Sequence, residues 1–256
     1  MSAEFLEPMG AKGYRAYVIG DVHGRLDLLD DLLAQIENDR LQRPVPKTLI
    51  VFLGDLIDRG PSSSGVIERL RTYRADDVRT VFVLGNHEEV LLRILAGDAG
   101  LITRWRWFGG SECLRSYGVD PDALAGLDDD EALEIVRRAV PEAHRQFIGE
   151  FSDTCRFGDY LFVHAGVRPG VPIDQQEQSD LRWIREPFLL DEADHGCVVV
   201  HGHTISAKIE ERPNRIGIDT GAYRTGVLTA LVIEGSERRY IDTRHRKPRS
   251  RPAGMG

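Results

Sequence analysis

The stretch AYVIGDVHGRLDLLDDLLAQI, residues 16–36, contains a strand, a tight turn and a helix in succession. Residues 16–19 are apolar and of types that favour strands, and Gly20 ends the run. From Leu26 to Ile36, apolar residues recur at spacings of three and four, which predicts an amphipathic helix. The turn between them, GDVHG, is polar and carries two glycines. A buried strand that passes through a turn into a helix is the first unit of an α/β fold.

Two similar strands follow within the first hundred residues. The runs TLIVFLG (48–54) and RTVFVLG (79–85) are apolar and end in glycine. Residues 62–73 lie between them and have helical spacing of their apolar positions. Strands that alternate with helices predict βαβ units and a parallel sheet.

The second half of the chain has a different pattern. Residues 97–158 are charged and mostly helical in pattern, so we predict a helical insert there. Further strands are predicted at 160–166, 197–203, 215–219, 226–235 and 238–243. This strand-rich half predicts a second sheet that faces the first across a sandwich. We expect a flexible N-terminus over 1–13, one domain over 14–243, and a basic, disordered tail over 244–256 that includes His245.

Composition and charge exclude several classes of protein. Hydrophobic residues make up 41% of the 256 residues, which suits a globular enzyme rather than a disordered chain. The net charge of −8 argues against a general binder of nucleic acid or anionic membranes. No apolar run approaches ~18 residues, so no transmembrane helix is expected. The cysteines are three in number and lack CxxC spacing, which fits reduced thiols and predicts a cytoplasmic protein.

Histidines and acidic residues gather in glycine-bounded blocks, each directly after a predicted strand. The blocks are GDVHG (20–24), GDLIDRGP (54–61), GNHE (85–88), HAG (164–166) and HGHT (201–204). In open α/β sheets, ligands bind at the carboxyl ends of the strands. One such block is an ordinary polar turn. Five blocks at the same end of the strands predict a functional site.

The residue types in these blocks indicate a metal centre. Asp, Asn and His supply oxygen and nitrogen ligands without a thiolate, which suits manganese, iron, zinc or cobalt. The candidate ligands are too many for one tetrahedral site, whereas two metals that share a bridging carboxylate would use them all. Two metals ~3.5–4 Å apart can activate water and bind the oxygens of a transferring phosphoryl group.

The ordered blocks resemble those of the phosphoprotein phosphatases in the calcineurin-like metallophosphoesterase superfamily. The resemblance covers about residues 16 to 235, and it is strongest towards the bacterial serine/threonine protein phosphatases, which YLFVHAGVRPG (160–170) and DLRWIREPFL (180–189) resemble in particular. It implies an α/β fold in which two mixed β-sheets form a sandwich flanked by helices. It also implies two divalent metal ions, with manganese ahead of iron, zinc or cobalt, and the hydrolysis of phosphoesters.

Carried over by motif position, the resemblance implies a role for each metal ligand. Asp21 and His23 hold the first metal, and Asp55 bridges both metals. The ligands that complete the second metal are Asn86, His164 and His203. A hydroxide that bridges the metals then attacks phosphorus in line, and no covalent phosphoenzyme forms.

The same resemblance implies which residues handle the proton and the phosphate. His87 protonates the leaving alkoxide, while Asp58 orients its ring and favours the imidazolium. Arg59 binds the phosphate through its planar guanidinium, and Asn86 contacts the phosphate as well. Arg185, in WIREPF, is the candidate for a second arginine on the phosphate.

Some of these assignments have rivals. Asp58 and Arg59 could pair with each other instead of acting on the substrate. In HGHT, His203 is favoured over His201 as the ligand because it matches the Gly-His-Thr motif. Trp183, two residues before Arg185, is expected in the core.

Other residues in the blocks, and those outside them, receive structural interpretations. Asn86 is also expected to be the N-cap of the following helix, with Glu88 and Glu89 as acids of its first turn. His144 and His195 lie outside the blocks and are interpreted as ordinary residues.

The segment RWRWFGG, residues 104–110, has two interpretations. Its aromatic side chains could anchor the helical insert, or its tryptophans and arginines could form a wall of the substrate cleft. Tyr223, in DTGAYRTG, could likewise overhang the metal site.

These residues favour one function and leave a second open. The first is a metal-dependent phosphomonoesterase that acts on phosphoserine and phosphothreonine in proteins, with phosphotyrosine and small phosphoesters as further substrates. The alternative is a symmetrical bis(5'-nucleosyl)-tetraphosphatase; these sister enzymes tend to carry aspartate after Gly-Asn-His, where this chain has Glu88. A non-catalytic scaffold is disfavoured because all six ligands are present. Neither a nucleic acid nor a membrane partner is expected, and the native metals and oligomeric state stay open.

Overall fold

In the computed structural model, which describes residues 7–244, the chain folds into two five-stranded sheets flanked by helices. The strands are β1 (Tyr14–Ile19), β2 (Lys47–Phe52), β3 (Val78–Phe82), β4 (Thr154–Phe157), β5 (Tyr160–Val163), β6 (Val198–His201), β7 (Glu210–Glu211), β8 (Arg215–Gly217), β9 (Thr229–Glu234) and β10 (Glu237–Asp242). The helices are α1 (Leu26–Gln42), α2 (Ser63–Arg71), α3 (Asn86–Ala96), α4 (Leu101–Trp105), α5 (Ser111–Ser116), α6 (Asp129–Ala139), α7 (Glu142–Gly149), α8 (Gln178–Trp183), α9 (Glu186–Leu189) and α10 (Ala222–Thr225). A π-helical segment, Arg106–Gly110, joins α4 to α5.

The first sheet has the strand order β10-β9-β1-β2-β3. Strands β1, β2 and β3 are parallel, and β9 and β10 add to β1 in antiparallel fashion. We expected 226–235 and 238–243 in the second sheet, and this expectation is wrong. Strand β9 lies between β1 and β10, and its two faces are buried because Val232 packs in one core and Leu231 in the other. An apolar run of this kind predicts a central strand but does not reveal which sheet the strand joins.

The second sheet has the order β4-β5-β6-β8-β7, in which β5, β6 and β8 are parallel. Strand β4 of this sheet lies within 97–158, the range that was predicted to be a helical insert. The helices end at Gly149, and Thr154–Phe157 forms a hairpin with β5. Gly158 allows the short turn between them because its φ is +61°. The predicted α/β sandwich of two mixed sheets is confirmed.

Alternate residues of β1 enter two different cores, as the period of a strand requires. Val18 packs between the two sheets with Phe162 and Val200. Ile19 packs on the other face of the first sheet, in the core that contains Leu29 of α1. Burial of each such side chain stabilises the fold by about 1.5–3 kcal/mol. Two cores on opposite faces of one sheet hold its parallel strands, and therefore the turns that follow them, in fixed positions.

Described residues before β1 are hydrogen-bonded to the rest of the fold. Of the predicted N-terminal segment, Met9 N–H donates to Asp159 Oδ2 at 2.8 Å, and Gly10 N–H donates to the Gly235 carbonyl at 2.8 Å. Of the predicted basic tail, 244–256, all but Arg244 lies outside the described residues. Within residues 7–244, no helix is both long and apolar enough to span a membrane.

Candidate active site

Asp55 follows β2 and lies at the centre of the buried polar residues. Its Oδ2 atom lies 3.6 Å from His23 Nε2, and its Oδ1 atom lies 3.4 Å from His164 Nε2. The possible ligand atoms form two groups that share Asp55, and in each group the atoms lie within 4.8 Å of one another. One group adds His23 and His87, and the other adds His164 and His203. This arrangement could hold two cations that share one carboxylate.

Backbone carbonyls set the orientation of two of these imidazoles. His23 Nδ1–H donates to the Ile57 carbonyl at 2.8 Å, and His164 Nδ1–H donates to the Leu53 carbonyl at 2.7 Å. Burial lowers the pKa of His23 to about 3, so its imidazole is neutral near pH 7. When Nδ1 carries the proton, Nε2 offers the lone pair that a metal requires. Both Nε2 atoms face Asp55.

His203 and Asp21 are tied to each other across the site. The His203 N–H donates to both oxygens of Asp21, at 3.1 and 3.2 Å. Gly202 makes this approach possible, because a Cβ there would lie 2.0 Å from Asp21 Oδ1. His203 Nε2 is buried and has no hydrogen-bond partner among residues 7–244. Because leaving such an atom unpaired costs about 1–3 kcal/mol, a ligand role explains the nitrogen better than a structural role.

The buried carboxylates of the site also fit a cation. Burial raises the pKa of Asp21 well above its usual value, and the charges of Asp219 and Asp55 raise it further. Asp219 Oδ2 is itself buried without a partner in the described part of the chain. Divalent cations would neutralise this charge, and the oxygen and nitrogen donors suit manganese, iron, zinc or cobalt.

The structure brings all six predicted ligands together. The last of them, Asn86, has its Oδ1 atom 3.0 Å from His164 Nε2. Our sequence reasoning missed Asp219, although it follows β8 in RIGID and so obeys the same strand-end rule. The ligand roles themselves stay predictions.

Strained backbone is concentrated at this site. Five of its non-glycine residues have φ between +45° and +69°, in the left-handed region: His23, Asp55, Asp58, Arg59 and His203. Such conformations cost of order 1–3 kcal/mol each and persist where the surrounding structure holds them. The turns after β1, β2 and β6 are therefore held in place by their surroundings, which keeps the side chains close to Asp55.

A second hydrogen-bonded unit lies beside the ligands. His87 Nδ1–H donates to Asp58 Oδ2 at 2.6 Å, and Trp105 Nε1–H donates to the same oxygen at 2.9 Å. Burial alone would lower the pKa of His87, but the charge of Asp55 and the hydrogen bond to Asp58 raise it above its usual value. Asp58 therefore pairs with His87, and the rival pairing with Arg59 is not seen among its hydrogen bonds or ion pairs. The hydrogen bond from Trp105 was not predicted.

The segment 104–110 both anchors the insert and lines the cleft. Trp105 is buried and reaches Asp58, whereas Trp107 is 86% exposed. Arg59 N–H donates to the Gly109 carbonyl at 3.0 Å. Gly109 has a φ of +111°, and a Cβ on it would lie 2.5 Å from Arg59 Cγ, so this close approach requires glycine. The insert thus binds the side chain of Asp58 and the backbone of Arg59, the two residues that follow Ile57 in GDLIDRGP.

We expect Trp105→Phe to lower the turnover of alkyl phosphates about tenfold, because Asp58 loses one of the two donors that fix its carboxylate. The free energy of unfolding should fall by about 1–3 kcal/mol for the lost hydrogen bond to a charged group. Steady-state kinetics and urea unfolding would measure both effects. The matched control is Trp107→Phe, since Trp107 is exposed. Equal behaviour of the two variants would show that the Trp105 hydrogen bond has no positioning role.

Glu88 has a structural role that its sequence position did not reveal. It is fully buried, and its carboxylate accepts hydrogen bonds from the N–H groups of Asp55 and Leu56, each at 2.8 Å. It also accepts one from Gly85, the actual N-cap of α3, at 3.2 Å. The expected N-cap, Asn86, is instead the first helical residue, which turns its side chain towards His164 rather than towards the helix.

Two arginines lie at the mouth of the site. Arg59 Nη1 lies 3.1 Å from His23 Nε2, and its guanidinium lies 4.9 Å from the centre of the Tyr223 ring. Arg185 Nη1 donates to Thr204 Oγ1 at 3.1 Å. In the described part of the chain, neither arginine forms an ion pair with a carboxylate, so both are available to an anion. Tyr223 packs edge-on against His23, with 5.3 Å between ring centres, which places it over the site as the sequence allowed.

A cleft of about 470 Å³ opens from these residues. Trp183 lines it and is 44% exposed, so its expected place in the core is wrong. Its Nε1–H donates to Glu89 Oε2 at 2.8 Å, and Glu89 therefore does more than complement a helix dipole. The period of α8 could not reveal this, because a six-residue helix at the surface has too few positions to define a face.

Three further histidines among residues 7–244 belong to neither group of possible ligands. His201 packs against Phe188, with 5.1 Å between ring centres, and belongs to neither group of possible ligands. His144 lies between Tyr117 and Glu68, and His195 lies near Asp191. The structure therefore places His203, and not His201, in a group of possible ligands.

Comparison with known proteins agrees with this geometry. Residues 14–225 match the family model described as calcineurin-like phosphoesterase. Serine/threonine-protein phosphatase 1 of Salmonella typhimurium is 32% identical over 240 residues, which cover 90% of this chain and 98% of that protein. A symmetrical bis(5'-nucleosyl)-tetraphosphatase of Klebsiella pneumoniae is 46% identical over 182 residues, which cover 68% of this chain and 53% of that protein.

The fold has solved counterparts. The crystal structure of a proposed diadenosine tetraphosphatase superposes with a TM-score of 0.61 at 22% identity, over 90% of this chain and 94% of that chain. This likeness concerns the fold. The predicted family is confirmed. The relatives include both enzymes named protein phosphatases and enzymes named tetraphosphatases.

Proposed function

Because the chain belongs to the calcineurin-like phosphoesterases and is therefore a hydrolase, we propose that it removes phosphate from phosphoserine and phosphothreonine in proteins. The observation that carries this proposal is the complete site. Asp55 and five further candidate ligands lie together, and His87 is hydrogen-bonded to Asp58 next to them. A protein that kept the fold without catalysis would have no reason to retain both units.

Two divalent metals, with manganese as the first choice, would be held in this site. The residues that would hold them are Asp21, His23, Asp55, Asn86, His164 and His203. When bound, they supply an activated water for in-line attack and neutralise charge on the phosphate. Side chains of the protein would deliver the proton and bind the phosphate.

His87 is the proposed general acid. Its Nδ1–H is held by Asp58, so Nε2 is the nitrogen that would deliver a proton to the leaving oxygen. Asp58 keeps the ring in place and stabilises its charged form. Arg59 and Arg185 line the same cleft as His87 and Asn86, and we propose that they bind the phosphate oxygens.

Two observations bear on the choice of phosphoproteins as substrates, one from a relative and one from the position of Glu88. A relative that is 32% identical and is covered along 98% of its length is named a serine/threonine-protein phosphatase. Glu88, which stands where the tetraphosphatases tend to carry aspartate, is buried behind the site and does not line the cleft. It therefore bears on substrate choice only through the backbone of Asp55 and Leu56.

A symmetrical bis(5'-nucleosyl)-tetraphosphatase is the second candidate. The cleft contains the aromatic rings of Phe108 and Trp183 as well as arginines, a combination that could stack a nucleobase and bind further phosphates. The Klebsiella pneumoniae relative supports this candidate too.

One side-by-side assay with added manganese separates the candidates. It offers p-nitrophenyl phosphate, phosphoserine, phosphothreonine and phosphotyrosine peptides, and diadenosine tetraphosphate. We expect the highest kcat/KM among the biological substrates with the phosphoserine or phosphothreonine peptide. A strong preference for the dinucleotide would establish the second candidate instead.

The three free cysteines further support a cytoplasmic place for this activity.

A further inference from the structure

The cleft extends beyond the groups that would bind the reacting phosphate. Its floor is one face of α3, on which His87, Val90 and Arg93 follow each other at three-residue spacing. A helix rises 1.5 Å per residue, so Arg93 begins about 9 Å farther along the cleft than His87. Arg104 of α4 lines the same outer part.

Arg104 is available to an anion. Within residues 7–244 it forms no ion pair, and its guanidinium lies over the ring of Phe108, 5.6 Å from the ring centre. It directly precedes Trp105, whose indole is bonded to Asp58, so its backbone is held at a fixed position relative to the proposed general acid. Arg93 pairs with Asp98, but both side chains are about half exposed, and such pairs are weak.

The walls of this outer part suit a peptide. Phe108 and Trp183 line it and are 55% and 44% exposed, so apolar and aromatic surface borders the arginines. An extended peptide advances about 3.3 Å per residue, so a distance of about 9 Å corresponds to about three residues. A side chain two or three positions from the phosphorylated residue would therefore reach the outer part of the cleft, which Arg93 and Arg104 line.

We propose that Arg104, with Arg93 beside it, is a specificity subsite for an acidic side chain two or three residues from the phosphorylated residue of a peptide substrate. This inference rests on the proposed phosphoprotein phosphatase function. Charge complementarity is the reason for an acidic residue: the cleft presents arginines, although the chain as a whole carries a net charge of −8. A guanidinium can bind a carboxylate through two parallel hydrogen bonds, which makes the pairing selective.

The test compares phosphoserine peptides that differ only in glutamate or glutamine at positions two and three, on either side of phosphoserine. The wild-type protein should favour the glutamate peptide about tenfold in kcat/KM on at least one side. In Arg104→Gln, this ratio should fall to about one or two. The ratio is taken within each variant, so a general loss of activity cancels. Arg138→Gln, which changes an exposed arginine of α6 outside the cleft, should keep the wild-type ratio.

The possible failures are distinguishable. If the wild-type protein hydrolyses both peptides equally, the subsite is absent while the phosphatase function stands. The subsite is also wrong if Arg104→Gln keeps the preference. If p-nitrophenyl phosphate is hydrolysed but neither peptide is, both the function and the subsite fail. A parallel arm with diadenosine tetraphosphate shows whether Arg104 serves further phosphates instead: loss of kcat/KM there, with the peptide ratio unchanged, overturns the proposal.

Discussion

The His87→Asn variant should lose about 10²- to 10⁴-fold in turnover of phosphoserine and other alkyl phosphates, the range that general acid catalysis contributes. With p-nitrophenyl phosphate the loss should be about tenfold or less, because a phenolate with a low pKa leaves without a proton. The reason lies in the geometry: His87 is fixed by Asp58 at 2.6 Å and lines the cleft. The measurement is the turnover of a series of phosphoesters whose leaving groups increase in pKa. Turnover should fall more steeply with the pKa of the leaving group in the variant than in the wild-type protein.

Two controls accompany this prediction. Asp58→Asn should show the same leaving-group pattern with a smaller loss, since the ring remains but its orienting charge is gone. Metal content should be unchanged in both variants, because Asp58 is in neither group of possible ligands and His87, although it lies in one group, is assigned to the proton and not to the metal. An equal loss of turnover for alkyl and aryl phosphates in His87→Asn would contradict the general-acid role.

The Asp55→Asn variant should lose nearly all turnover, about 10³-fold or more on every substrate, together with metal. Asp55 is the residue shared by both groups of possible ligands, so its charge is needed for each. Metal analysis of the purified variant measures the loss directly. Thermal unfolding provides a second measure, since a metal that binds the folded state stabilises it.

A suitable control for this variant is Asp39→Asn. Asp39 is a partly buried carboxylate that binds Arg239 and Tyr17 and does not line the cleft. Its loss should lower the midpoint of unfolding but leave the upward shift on addition of manganese intact. In Asp55→Asn, that shift should nearly vanish. A normal metal content and a normal shift in Asp55→Asn would show that Asp55 does not bridge the metals.

The residues that follow strands were the predictable part of this site. Asp21, Asp55, Asn86, His164 and His203 lie in short glycine-bounded blocks, and the carboxyl ends of parallel strands bring such blocks together. Asp219 was predictable by the same rule but was overlooked. The alternation of strands and helices likewise sufficed for the α/β sandwich.

Contacts between distant segments were not predictable, because periodicity carries no information about tertiary partners. Trp105 donates to Asp58 across 47 residues of sequence, and nothing in RWRWFGG indicates that partner. Glu88 looked like a first-turn acid because it follows a strand-to-helix turn, yet it binds the backbone after β2. The place of β9 in the first sheet was not predictable for the same reason, because a buried strand pattern is equally consistent with either sheet.

Substrate choice depends on such contacts too. The candidate ligands and His87 belong to motifs that phosphatases and tetraphosphatases share, so they cannot separate the two. The cleft that could separate them is lined by Arg104 and Phe108 of the insert, by Trp183 at the end of α8 and by Arg185 directly before α9. None of these four residues lies in a block with fixed spacing, and the structure was needed to bring them together.

The central claim is that two metals shared by Asp55 are required for phosphoester hydrolysis. It is tested most directly by removing metal from the wild-type protein with a chelator and then adding manganese in steps. Bound metal per chain and hydrolysis of p-nitrophenyl phosphate are measured at each step. We expect no hydrolysis at zero metal, and full activity only as the second equivalent binds. Full activity in the metal-free protein, or saturation of both binding and activity at one manganese per chain, would contradict the claim.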